Sequence, residues 1–557
     1  MEAGGHAGAS SWSRPIAPMF FIPGIGVNNC IVRFLVCTLA GLCTAAAFES
    51  PRPGFVVHFD FIATPAEGRQ LVQIAAQAGA KVINLVPPAR VWKNPKAIEM
   101  LGAILDEIAR QKLSFVFARI DASYPPNTKG ERYNYLYGRI LTEPGVLPDG
   151  SPSASFFLTT IGREDYARWM EEEVRFYAKH YGSLPNLLGI NLGPFAEPFS
   201  AERCGFLQLM EETGRYEITQ YTSYALKLWH RSLGARFGTV RRINQEYGAS
   251  FPSLDAIPLP RNETDQRFGK AQLAFFDFVR ALNDWFQERY ERCRRIWHEV
   301  SGRTDVPFIL QFNGFELGKL VNGRPSYTAL DLPGWVARAD AIGLSVYTNN
   351  GYSDYGHRSV KSTVNFLALA REMGKAVFVL ESGTEAPNVI LPPEEVEFFG
   401  TAALKLHPRT FIYEFFKETF DETYPSNPGK IVSAQGEIRE DALNTLRGLF
   451  RRIESADVNL EEPALYAQFD PLASRNNSHA GDVSAALYDL ASEVPIRWIP
   501  KGVNIREHPG VPTVLPDGSV SGNESLARYL ESIPRAETPE RDRWREEAAY
   551  LLRLHAN

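Results

Sequence analysis

One recurrence constrains this chain more than any other feature. From Gly54 onward, short apolar runs rich in β-branched and aromatic residues alternate with amphipathic stretches whose apolar positions fall three and four apart. Residues 55–59, Val82–Val86 and Ser114–Ile120 read as three strands. Residues 65–78, with Leu71, Ile74, Ala75 and Ala78 on one face, and 97–110 read as the helices between them. The strand-like runs are apolar throughout rather than at every second residue, as strands covered on both faces are. Residues 188–192, 306–312, 341–346, 376–380 and Thr410–Tyr413 repeat the pattern, with further helices expected at 164–180 and 441–453. Eight strands with helices between them predict an α/β fold, a (β/α)8 TIM barrel.

A large insertion is expected after the fourth strand. Residues 216–237 and 266–300 have helical spacing, and the second carries a stripe of Phe275, Phe278, Val279, Leu282, Trp285, Phe286, Tyr290, Cys293 and Trp297 that reads as core. A long loop, 124–155, carries Tyr133, Tyr135 and Tyr137 and reads as a lid or as a β-ribbon on the barrel rim. The N-terminus reads as a secretory signal: residues 34–42 are apolar behind Arg33, and Ala45 and Ala47 satisfy a small-x-small cleavage rule. That run is shorter than the roughly 20 residues a bilayer-spanning helix needs, so a secreted or periplasmic protein with no membrane span is expected. The chain then divides into a signal peptide and leader (1–47), the barrel (48–455) and a small C-terminal appended region (456–557).

Composition narrows the partners. A net charge of −6 over 557 residues supplies no basic stripe, so nucleic acid is not an expected partner. Three of the five cysteines (Cys30, Cys37, Cys43) fall in the leader; Cys204 and Cys293 remain, as one disulfide or as two buried thiols. With no Cys-x-x-Cys and no histidine at ligand spacing, no metal site is expected.

Polar residues collect where the strands end, and the C-terminal mouth of such a barrel is where its chemistry sits. Glu197, between Ala196 and Pro198, follows the fourth strand; Glu381, before Ser382 and Gly383, follows the seventh. Carboxyls on strands facing each other across a pocket can flank one glycosidic bond. One is protonated and donates to the leaving oxygen, while the other is ionised and, about 5 Å away, attacks the anomeric carbon. Phe195 and Phe199 give Glu197 the apolar setting that suits the acid, which leaves Glu381 as the nucleophile. Taken singly, Glu197 reads first as a loop residue facing water. Glu316 and Glu385 are the rival carboxylates if the strand register differs.

Three motifs in this order, Glu197-Pro198, Leu380-Glu-Ser-Gly383 and Phe411-Ile-Tyr-Glu-Phe415, resemble the clan A retaining glycoside hydrolases. Residues 236–260 and the aromatic helix after them are similar to the segment following strand four in the bacterial β-galactosidases of family 42. The resemblance implies a (β/α)8 barrel with the acid/base on strand four, Glu197, and the nucleophile on strand seven, Glu381. It also implies that Tyr347, at the end of strand six, hydrogen-bonds the nucleophile. By position, Arg119 is a candidate to hold the carboxylate or a substrate hydroxyl, with an Arg119–Asp121 pair as the alternative. Asn313 is a candidate to bond a hydroxyl or cap its loop, and Tyr413 and Glu414 to touch the terminal sugar. Trp92 offers a flat face to a pyranose, or packs in the core or rim. Two departures stand out: Ala196 occupies the place where the clan usually carries Asn, and of the cysteine cluster common after strand four only Cys204 is present.

The expectation is a secreted retaining β-glycosidase, β-galactosidase-like. It would act on β-linked oligo- or polysaccharide by double displacement, with no metal or organic cofactor. Two alternatives stay open. Residues 192–197 also resemble the strand-four motif of β-amylases, which would make it an inverting barrel glucanase, and Ala196 would suit a carbohydrate-binding protein on a decayed barrel.

Overall fold

The computed structural model describes residues 51–59, 62, 64–87, 91–120, 146–152, 164–192, 207–210, 215–313, 320–321, 324–325, 332–348, 361, 364–365, 367–384, 401–402, 404–413, 431–433, 436–455, 459–470, 479–491, 493–500, 510–521 and 524–532. Its centre is an eight-stranded parallel sheet: β1 (Arg52–His58), β2 (Val82–Val86), β3 (Ser114–Ile120), β4 (Leu187–Leu192), β5 (Ile309–Asn313), β6 (Ala341–Thr348), β7 (Ala376–Thr384) and β8 (Thr410–Tyr413). The order is β4-β3-β2-β1-β8-β7-β6-β5. The two end strands meet: Ile190 bridges Phe308 in parallel, and the Ile190 N–H donates to the Pro307 carbonyl at 3.1 Å. Beside them Asn191 Nδ2 donates to the Ile309 carbonyl at 3.0 Å. The sheet thereby closes into the expected (β/α)8 barrel.

Alternation along each strand separates two cores. Val56, Val82, Val86, Val116, Ala118, Ile309, Ala341, Phe378, Leu380 and Ile412 cluster inside the barrel. The residues between them, such as Phe55, Ile83, Phe117, Leu310, Val379 and Phe411, join the larger layer beneath the helices. Burial on both faces is why these runs read as continuously apolar.

The helices start where the sequence supplies a cap. Thr64 accepts the Glu67 N–H at 3.2 Å ahead of α1 (Pro65–Gln77), and Asn94 accepts the Ala97 N–H at 3.2 Å ahead of α2 (Pro95–Arg110). Each has proline in its first turn, where the missing donor costs nothing. α3 (Glu164–Tyr181), between β3 and β4 in the chain, packs on β3 with Phe117 edge-on to Tyr177 at 4.9 Å.

The insertion holds α4 (Ser223–Phe237), α5 (Val240–Tyr247) and the long α6 (Ala271–Ser301). The helix expected from residue 216 begins instead at Ser223, because Thr222 caps it by accepting the Ala225 N–H at 3.1 Å; Arg215–Ile218 pairs antiparallel with Leu207–Met210. Every residue of the aromatic stripe on α6 is buried. Cys293 is a free thiol whose burial raises its pKa, and Cys204 lies outside the described residues. Asp277 of α6 is buried beneath Arg236 Nη1 at 2.6 Å and the Tyr247 hydroxyl at 3.0 Å, tying the three helices together.

α7 (Leu332–Arg338) precedes β6 and α8 (Glu440–Ser455) follows β8. At the N-terminal face of the barrel Asp340 gathers three donors: Arg294 Nη1 at 2.9 Å, His298 Nε2 at 2.7 Å and the Phe308 N–H at 3.1 Å. Burial alone would raise the Asp340 pKa, but these donors hold it below the usual carboxylate value.

After α8 the chain builds a second sheet from β9 (Leu465–Phe469), β10 (Ile496–Pro500), β11 (Thr513–Val514), β12 (Ser519–Val520) and β13 (Glu524–Ser525), in the order β10-β9-β11-β12-β13. α9 (His479–Leu490) connects β9 to its parallel neighbour β10, and α10 (Leu526–Ser532) follows β13. Asn365 Nδ2 donates to the Ala491 carbonyl at 2.6 Å, and Lys405 meets Glu461 at 2.5 Å. The leader, most of the tyrosine loop and the charged helix expected at 539–554 lie outside the described residues. Among those described, no helix is long and apolar enough to cross a membrane.

Candidate active site

β7 is longer than its apolar run suggests, continuing through Glu381 to Thr384. Phe378 and Leu380 point into the barrel, while Val377 and Val379 point out. Strict alternation would turn Glu381 outward, toward the helices. The pairing with β6 prevents this: Leu344 pairs with Val379, but Ser345 pairs with Glu381, so Leu380 is the extra residue of a β-bulge. Two consecutive side chains, Leu380 and Glu381, therefore face inward.

The carboxylate so turned is 1% exposed and bonded at both oxygens. Gln311 Nε2, from the inward row of β5, donates to Oε1 at 3.2 Å, and Ser345 Oγ, from the inward row of β6, donates to Oε2 at 3.3 Å. Gln311 Nε2 also donates to Ser345 Oγ at 2.6 Å, closing a three-membered network across three adjacent strands. Directly below Ser345 on β6, Gly343 keeps the space open. A Cβ there would stand 2.8 Å from Leu380 Cδ1 and 3.0 Å from Gln311 Cβ.

The other side of β7 is stitched by side chains. Val379 pairs with Phe411; Thr410 Oγ1 donates to the Val379 carbonyl at 3.2 Å and Ser382 Oγ to the Ile412 carbonyl at 2.7 Å. The Leu380 carbonyl accepts from Asn84 Nδ2 at 2.8 Å, a bond that reaches from β2, three strands away around the wall.

The backbone of the last turns of β3, β5 and β6 places Arg119, Asn313 and Tyr347 at the same end of the barrel as Glu381. Asn313 pairs with Ser345, and Tyr347 with Gly383. The side chains of these three, and the whole of Glu197, Glu316, Glu385 and Glu414, lie outside the described residues. β4, which leads to Glu197, is three strands from β7 around the closed wall.

Alternation and packing locate two of the aromatic candidates. Tyr413 shares the outward face of β8 with Phe411, its ring edge-on to Phe55 at 6.3 Å in the layer that Phe450 of α8 completes. It stabilises the wall rather than lining the interior, and burial raises its hydroxyl pKa. Trp92, half-buried, packs on Phe176 of α3 at 5.5 Å between centroids. Gln311, Ser345 and Asn84 were not singled out by motif. Their signal is a polar residue on the inward parity of an otherwise apolar strand.

No protein-family model and no curated protein sequence matches the chain. Solved structures do. A β-galactosidase from Bacillus circulans sp. alkalophilus superposes with a TM-score of 0.61 at 13% identity, over 82% of this chain and 66% of that one. A GH42 β-galactosidase from G. stearothermophilus gives a TM-score of 0.60 at 11% identity, over 82% and 67%. The catalytic domain of a β-amylase from Paenibacillus polymyxa gives 0.50 at 10% identity, over 72% of this chain and 98% of that one. The chain spans about two thirds of the length of these two β-galactosidases. At such identities the likeness is one of architecture: this chain is built on the (β/α)8 barrel that family 42 β-galactosidases have.

Proposed function

We propose that the protein is a secreted retaining β-glycosidase, β-galactosidase-like, with Glu381 as nucleophile and Glu197 as acid/base. The observation that carries this is the bulge that turns a buried carboxylate inward at the C-terminal end of β7, held at both oxygens by Gln311 and Ser345. A carboxylate fixed in this way is pre-aligned for in-line attack. In the first step Glu381 bonds to the anomeric carbon as the glycosidic bond breaks, and Glu197 gives its proton to the departing oxygen. In the second, Glu197 takes a proton from water, whose oxygen bonds to the anomeric carbon and releases Glu381. Arg119, Asn313, Tyr347 and Glu414, at or just after strand ends in the sequence, are assigned contact with substrate or nucleophile. The apolar leader behind Arg33 supports secretion.

The fold match over nearly the whole β-amylase catalytic domain favours one rival, an inverting glucanase. Hydrolysis of a panel of aryl β-glycosides, with the anomer of the first product followed by NMR, separates the two. Retention by the wild type with turnover abolished in Glu381→Gln is expected. Inversion, or unchanged turnover in Glu381→Gln, overturns the proposal.

A further inference from the structure

We propose that Asn84 is a positioning residue for Glu381, acting through the backbone of the β7 bulge; this rests on Glu381 being the nucleophile. Leu380, the extra residue of the bulge, lies in a strand buried on both faces, where a carbonyl still needs a donor. Asn84 Nδ2 is that donor, at 2.8 Å. Asn84 is itself 0% exposed, and its Oδ1 has no hydrogen-bond partner among the described residues. An amide buried with its oxygen unpaired is costly where an apolar side chain of similar size would carry no such penalty. The one bond it donates is what accounts for it.

That bond holds the peptide joining Leu380 to Glu381. The direction of this peptide sets where the Glu381 side chain leaves the strand, and so whether two successive residues can both face inward. Gln311 and Ser345 hold the far end of the side chain, at the carboxylate, while Asn84 holds its root. A carboxylate displaced by about 1 Å from its line of attack loses roughly a hundred-fold in rate.

The test uses the full chain and a dinitrophenyl β-galactoside in which fluorine replaces the hydroxyl beside the anomeric carbon, a probe that traps the glycosyl-enzyme on a retaining nucleophile. Peptide mass spectrometry identifies the labelled residue, and the trapping rate constant reports its alignment. In the wild type the label is expected on Glu381; a wild type not labelled there overturns the nucleophile reading, and this inference with it. Asn84→Leu, close in size and unable to donate, is expected to be labelled on Glu381 with a rate constant lower by about ten-fold or more and an unchanged half-saturating probe concentration. With the wild type labelled at Glu381, an unchanged rate constant in Asn84→Leu overturns the positioning role alone, as does a change confined to half-saturation. Should Asn84→Leu not fold, Asn84→Asp keeps the shape and donates only when its carboxyl is protonated. Its rate relative to wild type is expected to rise as pH falls, and a ratio independent of pH overturns the role.

Discussion

Ser345 of β6 pairs with Glu381 of β7, although its predecessor Leu344 pairs with Val379. The hydroxyl that meets the carboxylate and the bulge that presents it therefore arise at one position. Ser345→Ala removes the donor to Oε2 and the acceptor of the Gln311 amide together. The loss of one hydrogen bond to a charged group is worth about 1.5 kcal/mol, roughly ten-fold in rate. Steady-state kinetics on an aryl β-glycoside are expected to show this in kcat, with KM little changed.

Gln311→Glu places a second carboxyl within hydrogen-bond distance of the buried Glu381. Two carboxylates so close do not both ionise, and one keeps its proton to higher pH. The acidic limb of the pH profile of kcat/KM is expected to move upward by at least about one unit. A limb at the wild-type position would mean that the two groups do not share the site.

Gly343→Ala inserts a methyl against Leu380 Cδ1, Gln311 Cβ and Ile309 Cγ2, the last two rigid stems rather than mobile tips. Overpacking of this kind costs about 1–3 kcal/mol. A lower denaturant midpoint is expected by equilibrium unfolding, with kcat reduced in the folded protein because Gln311 must shift.

Asp340 makes stability depend on pH without touching the site, since it lies at the opposite face of the barrel. Its folded pKa is depressed, so its contribution is fully present above the unfolded carboxylate value of about 3.9 and is lost as pH falls through the folded value. Asp340→Asn is expected to lower stability near pH 7 by about 2 kcal/mol. It should also flatten the fall in melting temperature that the wild type shows below about pH 4, while kcat/KM at pH 7 is unchanged.

Much of the architecture is readable because apolar runs buried on both faces have no other use. β2 and β3 lie where those runs place them, and the stripe on α6 is core. Glu381 is readable as an acid near a strand end. That it faces inward is not, because one inserted residue reverses the alternation and the sequence carries no mark of which strand bulges. Tyr413 shows what alternation decides: it shares the outward face of β8 with Phe411 and so packs beneath the helices. Asn84 and Gln311 are isolated polar residues in apolar runs, and their bonds join residues 296 and 70 apart in the chain.

The closure between β4 and β5 leaves two strands that, among the described residues, share the single bridge Ile190–Phe308. Such strands resemble sheet edges, whose unpaired carbonyls invite pairing with another chain. Here the carbonyls are occupied: from outside, on α6, the Tyr290 hydroxyl donates to the Phe308 carbonyl and Trp297 Nε1 to that of Val306 at 3.0 Å, and from β4 itself Asn191 donates to that of Ile309. The long α6 thus fills the carbonyls of the seam as well as its place in the helix ring. Without α6 in the connection from β4 to β5 the barrel would keep all eight strands and leave these carbonyls open to pairing with another chain.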